Sequence, residues 1–279
     1  MTNHPAVEGR DLTLAWEGNV ILEGIDVSVP RGQFTAIIGP NGCGKSTLLK
    51  SFARILAPQA GQVFLHDQPI DSLAPKEVAR QLAMLPQSAT APADITVEEL
   101  VGRGRFPHQT FLRQWSQDDA TAVAAAMQAA RVEELAYRRV GELSGGQRQR
   151  VWLAMVLAQQ TEVLLLDEPT TFLDIGHQYA LLELVRALRR QQERTVVAVL
   201  HDLQQAVRYA DHLIIMNKGA IIATGNPHDI VDAALIREVF ALEAEVVRHG
   251  TEMVIVPGIL AEPDISVLGT VPRVPEAHR

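Results

Sequence analysis

Phe34-Thr35-Ala36-Ile37-Ile38 runs without a break into Gly39-Pro40-Asn41-Gly42-Cys43-Gly44-Lys45-Ser46-Thr47. The opening residues are a short, nearly continuous apolar run, the pattern of a strand buried on both faces of a parallel sheet. The glycines that follow let the backbone curl so that its N–H groups point inward at phosphates. A helix starting near Thr47 presents its positive end to the same anion. In that setting Lys45 reaches the β- and γ-phosphates of a nucleotide and the Ser46 hydroxyl ligates Mg²⁺. By itself the loop implies nucleotide binding and no more.

Two further runs repeat the opening pattern. Val163-Leu164-Leu165-Leu166 ends in Asp167-Glu168, and Val196 to Leu200 ends in His201. The segments between them read as helices; Leu181, Leu184, Val185 and Leu188 share one face at helical spacing. Strands alternating with helices predict an α/β fold with a doubly wound parallel sheet. Ligands of such sheets bind at the carboxyl ends of the strands, so the three strand-end clusters converge on one site. Upstream, Val20 to Val29 alternates Ile25, Val27 and Val29 with Asp26 and Ser28, which predicts a half-buried antiparallel strand. Pro30-Arg31-Gly32 then turns the chain.

Met84 to Gln159 carries an Ala-rich helical part from Asp118 to Ala130 and little strand signal. It reads as a mainly helical subdomain, about residues 88–160, inserted into a single domain spanning 1–258. From about Ile259 the chain holds several prolines and few apolar pairs, so 259–279 is expected to be a loose tail. The N-terminal residues lack the apolar core of a signal peptide. No uncharged apolar run reaches the roughly 18 residues of a spanning helix. Membrane work would require other chains to do the spanning.

The strand-end residues suggest chemistry. Asp167 can hold a metal through water, and Glu168 beside it can orient or deprotonate an attacking water. Leu143-Ser144-Gly145-Gly146-Gln147 reads as a helix N-terminus opened by Ser144. Helix capping accounts for the serine but not for two following glycines, which weaken a helix. They leave bare N–H groups open to an anion. A second phosphate-binding helix end, far in sequence from the first, implies a nucleotide gripped from two sides.

Composition narrows the alternatives. A formal charge of −8 and an aromatic content of 5% disfavour a nucleic-acid partner, which calls for a basic surface and stacking platforms. A single cysteine, Cys43, excludes an internal disulfide framework and a Cys-rich zinc site.

Taken with the loop and strand ends, Leu143-Ser144-Gly145-Gly146-Gln147 and Arg148 to Arg150 resemble the signature of the ATP-binding-cassette (ABC) ATPases. The resemblance covers about Gly9 to Pro257. It implies a P-loop NTPase core with antiparallel N-terminal strands, which hydrolyses ATP with Mg²⁺. It further implies that Trp16 stacks on adenine, that Gln87 of Leu-Pro-Gln touches Mg²⁺ and the water, and that Thr171-Phe172-Leu173-Asp174 is the D-loop. His201 becomes the histidine that contacts the γ-phosphate. Ser144, Gly145, Gly146, Gln147 and Asp174 would serve a nucleotide bound in a head-to-tail dimer. Ile95 to His108, with Arg105-Phe106-Pro107-His108, and the phosphate-loop neighbourhood resemble importers of iron-siderophores, haem and vitamin B12, with the ferric enterobactin type closely similar. The partners so implied are a second ATPase copy, two integral-membrane permeases and, indirectly, a substrate-binding protein. The place implied is the cytoplasmic face of a bacterial inner membrane. Rival readings are a translation or DNA-repair ABC ATPase, an exporter ATPase and a non-enzymatic regulator. A single cassette without sustained heptads, the lack of fused spanning helices, and the presence of Glu168 and His201 argue against these in turn.

Overall fold

The computed structural model describes residues 4–109, 115–171, 173–250 and 252–258. The expected tail, 259–279, and Phe172 of the D-loop lie outside the described residues.

The chain opens with two long strands, β1 (Pro5–Trp16) and β2 (Asn19–Pro30), paired antiparallel. Strand β2 is the one expected from the alternation of Val20 to Val29. Strand β1 is one of the antiparallel N-terminal strands that the resemblance implies, but its own pattern does not show it, because the buried residues change phase from Val7 and Gly9 to Leu12 and Leu14. Next come β3 (Phe34–Ile38), α1 (Lys45–Phe52), β4 (Ala60–Leu65), the short β5 (Gln68–Pro69) and α2 (Pro75–Gln81). Strand β6 (Leu82–Leu85) follows, so the helical stretch begins after Leu85 rather than at Met84. That stretch holds α3 (Val97–Gly102), a 3-10 segment Arg103–His108, α4 (Gln117–Ala129) and α5 (Gly145–Ala158). Then come β7 (Val163–Asp167), α6 (Ile175–Gln192), β8 (Thr195–Val199), α7 (Leu203–Tyr209), β9 (His212–Asn217) and β10 (Ala220–Gly225). Helices α8 (Pro227–Ile230) and α9 (Ala233–Phe240) and the hairpin β11 (Ala244–His249) and β12 (Glu252–Pro257) complete the order.

The central sheet has the order β10-β9-β3-β8-β7-β6. Its strands β9, β3, β8, β7 and β6 are parallel, and β10 is an antiparallel edge. Every residue of β3, β7 and β8 is buried, as their nearly continuous apolar runs require. Alternate residues feed two cores. Ile37, Leu165, Val197 and Ile214 pack with Leu48, Leu49 and Phe52 of α1 and with the antiparallel sheet β2-β1-β4-β5. Ile38, Leu164, Leu166, Ala198 and Leu213 pack with the helices on the other face, including Val151, Leu153 and Leu157 of α5. Each fully buried aliphatic side chain contributes about 1.5–3 kcal/mol.

In α6 the buried stripe is Leu181, Leu182, Val185 and Leu188, while Leu184 is only partly buried. Helix α4 is fixed at its start by a capping box in which Ser116 accepts from the Asp119 N–H and Asp119 accepts from the Ser116 N–H.

Candidate active site

The loop between β3 and α1 is shaped by glycine. Gly39 has φ +152°, and a Cβ there would lie 2.1 Å from the Met216 carbonyl oxygen, so no side chain fits. Gly44, at φ +102°, precedes α1 and offers no side-chain cap, which leaves the first N–H groups of the helix bare for an anion. The Lys45 side chain is buried against the loop, and its ammonium donates to the carbonyls of Gly39 and Pro40, both at 2.9 Å.

The Ser46 hydroxyl donates to Asp167 Oδ1 at 2.8 Å. Asp167 Oδ2 is buried and without a hydrogen-bond partner. Burial pushes the Asp167 carboxyl above the usual aspartate range, and the charge of Glu168 adds to the rise against the Ser46 hydrogen bond. A hydroxyl and a half-satisfied carboxylate are hard oxygen donors, the set that Mg²⁺ prefers.

Glu168 has φ +53°, a backbone conformation that costs a non-glycine residue on the order of 1–3 kcal/mol and that clusters at functional sites. Its carboxylate is reached from both sides. Gln87 Nε2 donates to Oε2 at 2.7 Å, and His201 Nε2 lies 2.7 Å from Oε1. The Thr171 hydroxyl approaches Oε2 at 3.4 Å.

A cavity of about 470 Å³ joins these parts. Of the residues expected from sequence, Trp16, Asn41, Gly42, Gly44, Lys45, Ser46, Thr47, Gln87, Glu168 and His201 line it. Asp167 stands behind Ser46, and Gly39 and Pro40 hold Lys45 from outside the lining. Cys43 is buried, and burial pushes its thiol pKa up, in keeping with a filler rather than a reactive group.

The signature residues lie elsewhere. Ser144 caps α5 in a capping box with Gln147, accepting from the Gln147 N–H at 3.3 Å, and with Gly145 it is exposed. Ser144, Gly145, Gly146 and Gln147 do not line the cavity of their own chain. Asp174 caps α6, accepting from the His177 N–H at 2.9 Å and meeting His177 Nδ1 at 2.7 Å, bonds that lower its pKa. It too is exposed and outside the cavity.

Two participants carried no readable signal. Ile21 of β2 lines the cavity as an ordinary strand residue. Lys50 of α1 holds its ammonium 4.6 Å from the centre of the Trp16 ring, a contact that only the packing of α1 beside β1 creates.

Residues 22–171 match the family model described as ABC transporter. The chain is 51% identical over 252 residues to the ferric enterobactin transport ATP-binding protein FepC of Escherichia coli K12, covering 89% of this chain and 93% of that one. It is 50% identical to the achromobactin transport ATP-binding protein CbrD of Dickeya dadantii, over 87% of this chain and 90% of that one. Among solved structures, an ABC transporter assigned to the metal-chelate type, in an inward-facing conformation, superposes with a TM-score of 0.78 at 25% identity, covering 93% of this chain and 99% of the other.

Proposed function

The chain belongs to the ABC transporter family of ATP-binding, ATP-hydrolysing proteins, and on that premise we propose that it drives uptake of a ferric siderophore through a membrane permease. The observation that carries the mechanistic reading is the convergence of Gln87 and His201 on the Glu168 carboxylate beside the phosphate loop. The loop amides and the bare start of α1 bind the triphosphate, Lys45 supplies the cation facing the β- and γ-phosphates, and Trp16 stacks on adenine. Ser46, Gln87 and Asp167 would hold Mg²⁺, which when bound neutralises charge between the β- and γ-phosphates.

Glu168 takes the proton of the attacking water as ATP and water become ADP and phosphate. Both of its oxygens are engaged by Gln87 and His201, so one of these contacts must yield to the water. His201, released, is free to meet the γ-phosphate.

A second copy packed head to tail would bring Ser144, Gly145, Gly146, Gln147 and Asp174 to the partner's nucleotide. Their place outside their own cavity, with Ser144, Gly145 and Asp174 exposed, supports this arrangement. No helix among the described residues is long and apolar enough to cross a membrane. Two permease subunits would therefore form the path, with this chain docked peripherally on their cytoplasmic face and a binding protein delivering cargo outside. Residues 1–258 form the motor domain in this reading, with 88–160 as its inserted helical subdomain.

The siderophore class rests on the likeness to the enterobactin and achromobactin proteins. Deleting the subunit should impair growth on a ferric siderophore as sole iron source. The wild-type chain should restore growth and Glu168→Gln should not. Normal growth of the deletion strain on every ferric siderophore tried would defeat the cargo assignment.

A further inference from the structure

Three glutamines outside the cavity tie the turns around it together. Gln149 of α5 donates through Nε2 to the carbonyl of Pro169, the residue after Glu168, at 3.2 Å. Gln178 of α6 donates to the carbonyls of Thr170 and Leu173, at 3.3 and 3.1 Å. Gln205 of α7 donates to Gln178 Oε1 at 2.9 Å, and its own backbone N–H is accepted at 2.9 Å by Asp202, the residue after His201.

The amide orientation is forced. Carbonyl oxygens only accept, so Gln178 must present its NH₂ to the Thr170 and Leu173 carbonyls and its oxygen to Gln205. Gln205 is 4% exposed, and a buried amide is unfavourable unless its partner is in place. An aliphatic pair would fill the same space but would leave the Thr170 and Leu173 carbonyls without these donors, so the amides tie the two turns together where apolar packing would not.

We propose that Gln178 and Gln205 are positioning residues that hold the turn after Glu168 in register with the turn carrying His201. The inference rests on the ATPase reading of the same site and adds the link between its two halves. Glu168 enters the cavity from the 167–171 turn and His201 from the 200–202 turn; the 2.7 Å contact between them closes one side of a loop. The Gln178–Gln205 bond closes the other side, 10 residues after Glu168 and 4 after His201. Movement of either turn must then be shared by the other or break the amide pair. Gln149 extends the link to α5, the helix that Ser144 opens.

The test measures steady-state ATPase activity of the full chain with Gln178→Leu, Gln205→Leu and the double variant, with melting temperature as a control. Each single change should lower kcat about five- to tenfold, the equivalent of one net hydrogen bond, and leave the KM for ATP within about twofold. The double variant should be no slower than the worse single, because one link is lost only once. Effects that multiply in the double variant, or a wild-type kcat in both singles, would overturn the proposal. Gln178→Glu guards against poor folding of the leucine variants. Its carboxylate still accepts from Gln205 but cannot donate to Thr170 and Leu173, so the same kcat loss is expected and a wild-type kcat would refute the relay. A wild-type chain without ATPase activity would refute the ATPase reading instead.

Discussion

His201 Nε2 stands 2.7 Å from one oxygen of Glu168 while Gln87 Nε2 stands 2.7 Å from the other. The sheet order explains this. Glu168 follows β7, and Gln87 and His201 follow β6 and β8, the two strands flanking β7. Neighbouring parallel strands end side by side, so three residues distant in sequence meet across three adjacent strand ends.

Glu168→Gln should therefore retain ATP binding and lose turnover by about 10²–10⁴-fold, the range of a removed general base. The amide has nearly the same size but cannot take the proton of water. Equilibrium ATP titration and single-turnover hydrolysis check the two halves. Substantial turnover would move the base role to another group.

Asp167 yields a stability prediction with a definite sign. Its pKa is raised in the folded chain, mainly by burial, so the folded state binds more protons than the unfolded one as pH climbs from the usual aspartate value of about 4 through the raised one. The contribution of Asp167 to stability thus declines across that window and stays reduced at neutral pH. Asp167→Asn removes the charge while keeping an acceptor for Ser46. Nucleotide-free Asp167→Asn should melt at or above the wild-type temperature at pH 7, with a shallower decline above pH 4, and should hydrolyse ATP poorly. A clear loss of stability at pH 7 would contradict the assigned cost of the buried carboxylate.

Arg105 and Asp119 form a buried ion pair at 2.9 Å, with side chains 6% and 7% exposed. Arg105 also donates to the Ala158 carbonyl and to Gln160, at 2.7 and 2.9 Å, which joins the 3-10 segment, α4 and the end of α5. Burial pushes the Asp119 carboxyl up, but hydrogen bonds from Arg105 and Ser116 outweigh it and hold the pKa below the usual range. The pair's contribution is present above the unfolded aspartate pKa and is lost as pH falls through the depressed value. Arg105→Ala should destabilise the chain by about 3–5 kcal/mol, because it strands a buried charge. Denaturant unfolding checks this, and the double change Arg105→Met with Asp119→Asn should recover part of the loss, because it removes the stranded charge while keeping an acceptor for the Ser116 N–H.

The parallel core was legible because strands buried on both faces must be largely apolar, as Phe34–Ile38 is but for Thr35 and as Val163–Leu166 is throughout. The site was legible because phosphate binding needs glycine where Gly39 and Gly44 turn. Strand β1 was not legible from its own pattern, since its buried residues change phase between Gly9 and Leu12, where its register with β2 shifts, breaking the period. Gln178 and Gln205 were equally silent. A glutamine on a helix has no spacing that reveals its partner, and only the packing of α6 against α7 brings the two amides together.

Ser144 separates an arrangement within one chain from one shared between two. In its own chain Ser144 caps α5 and does not line the cavity. Ser144→Arg should therefore spare ATP binding to the monomer, lower stability by about 0.5–2 kcal/mol through the lost cap, and abolish hydrolysis through the partner's site. Lys45→Ala should lose ATP binding in its own site. Neither variant alone should turn over. In a head-to-tail dimer of the two, the phosphate loop of Ser144→Arg faces the intact signature of Lys45→Ala, and both lesions fall together in the other site. Random mixing at equal amounts makes half the dimers mixed, each with one whole site of two, so about a quarter of wild-type activity should return if the whole site turns over independently. A mixture no more active than its components would count against the shared site. Loss of monomeric ATP binding in a folded Ser144→Arg chain would overturn it outright, because the signature would then serve its own nucleotide.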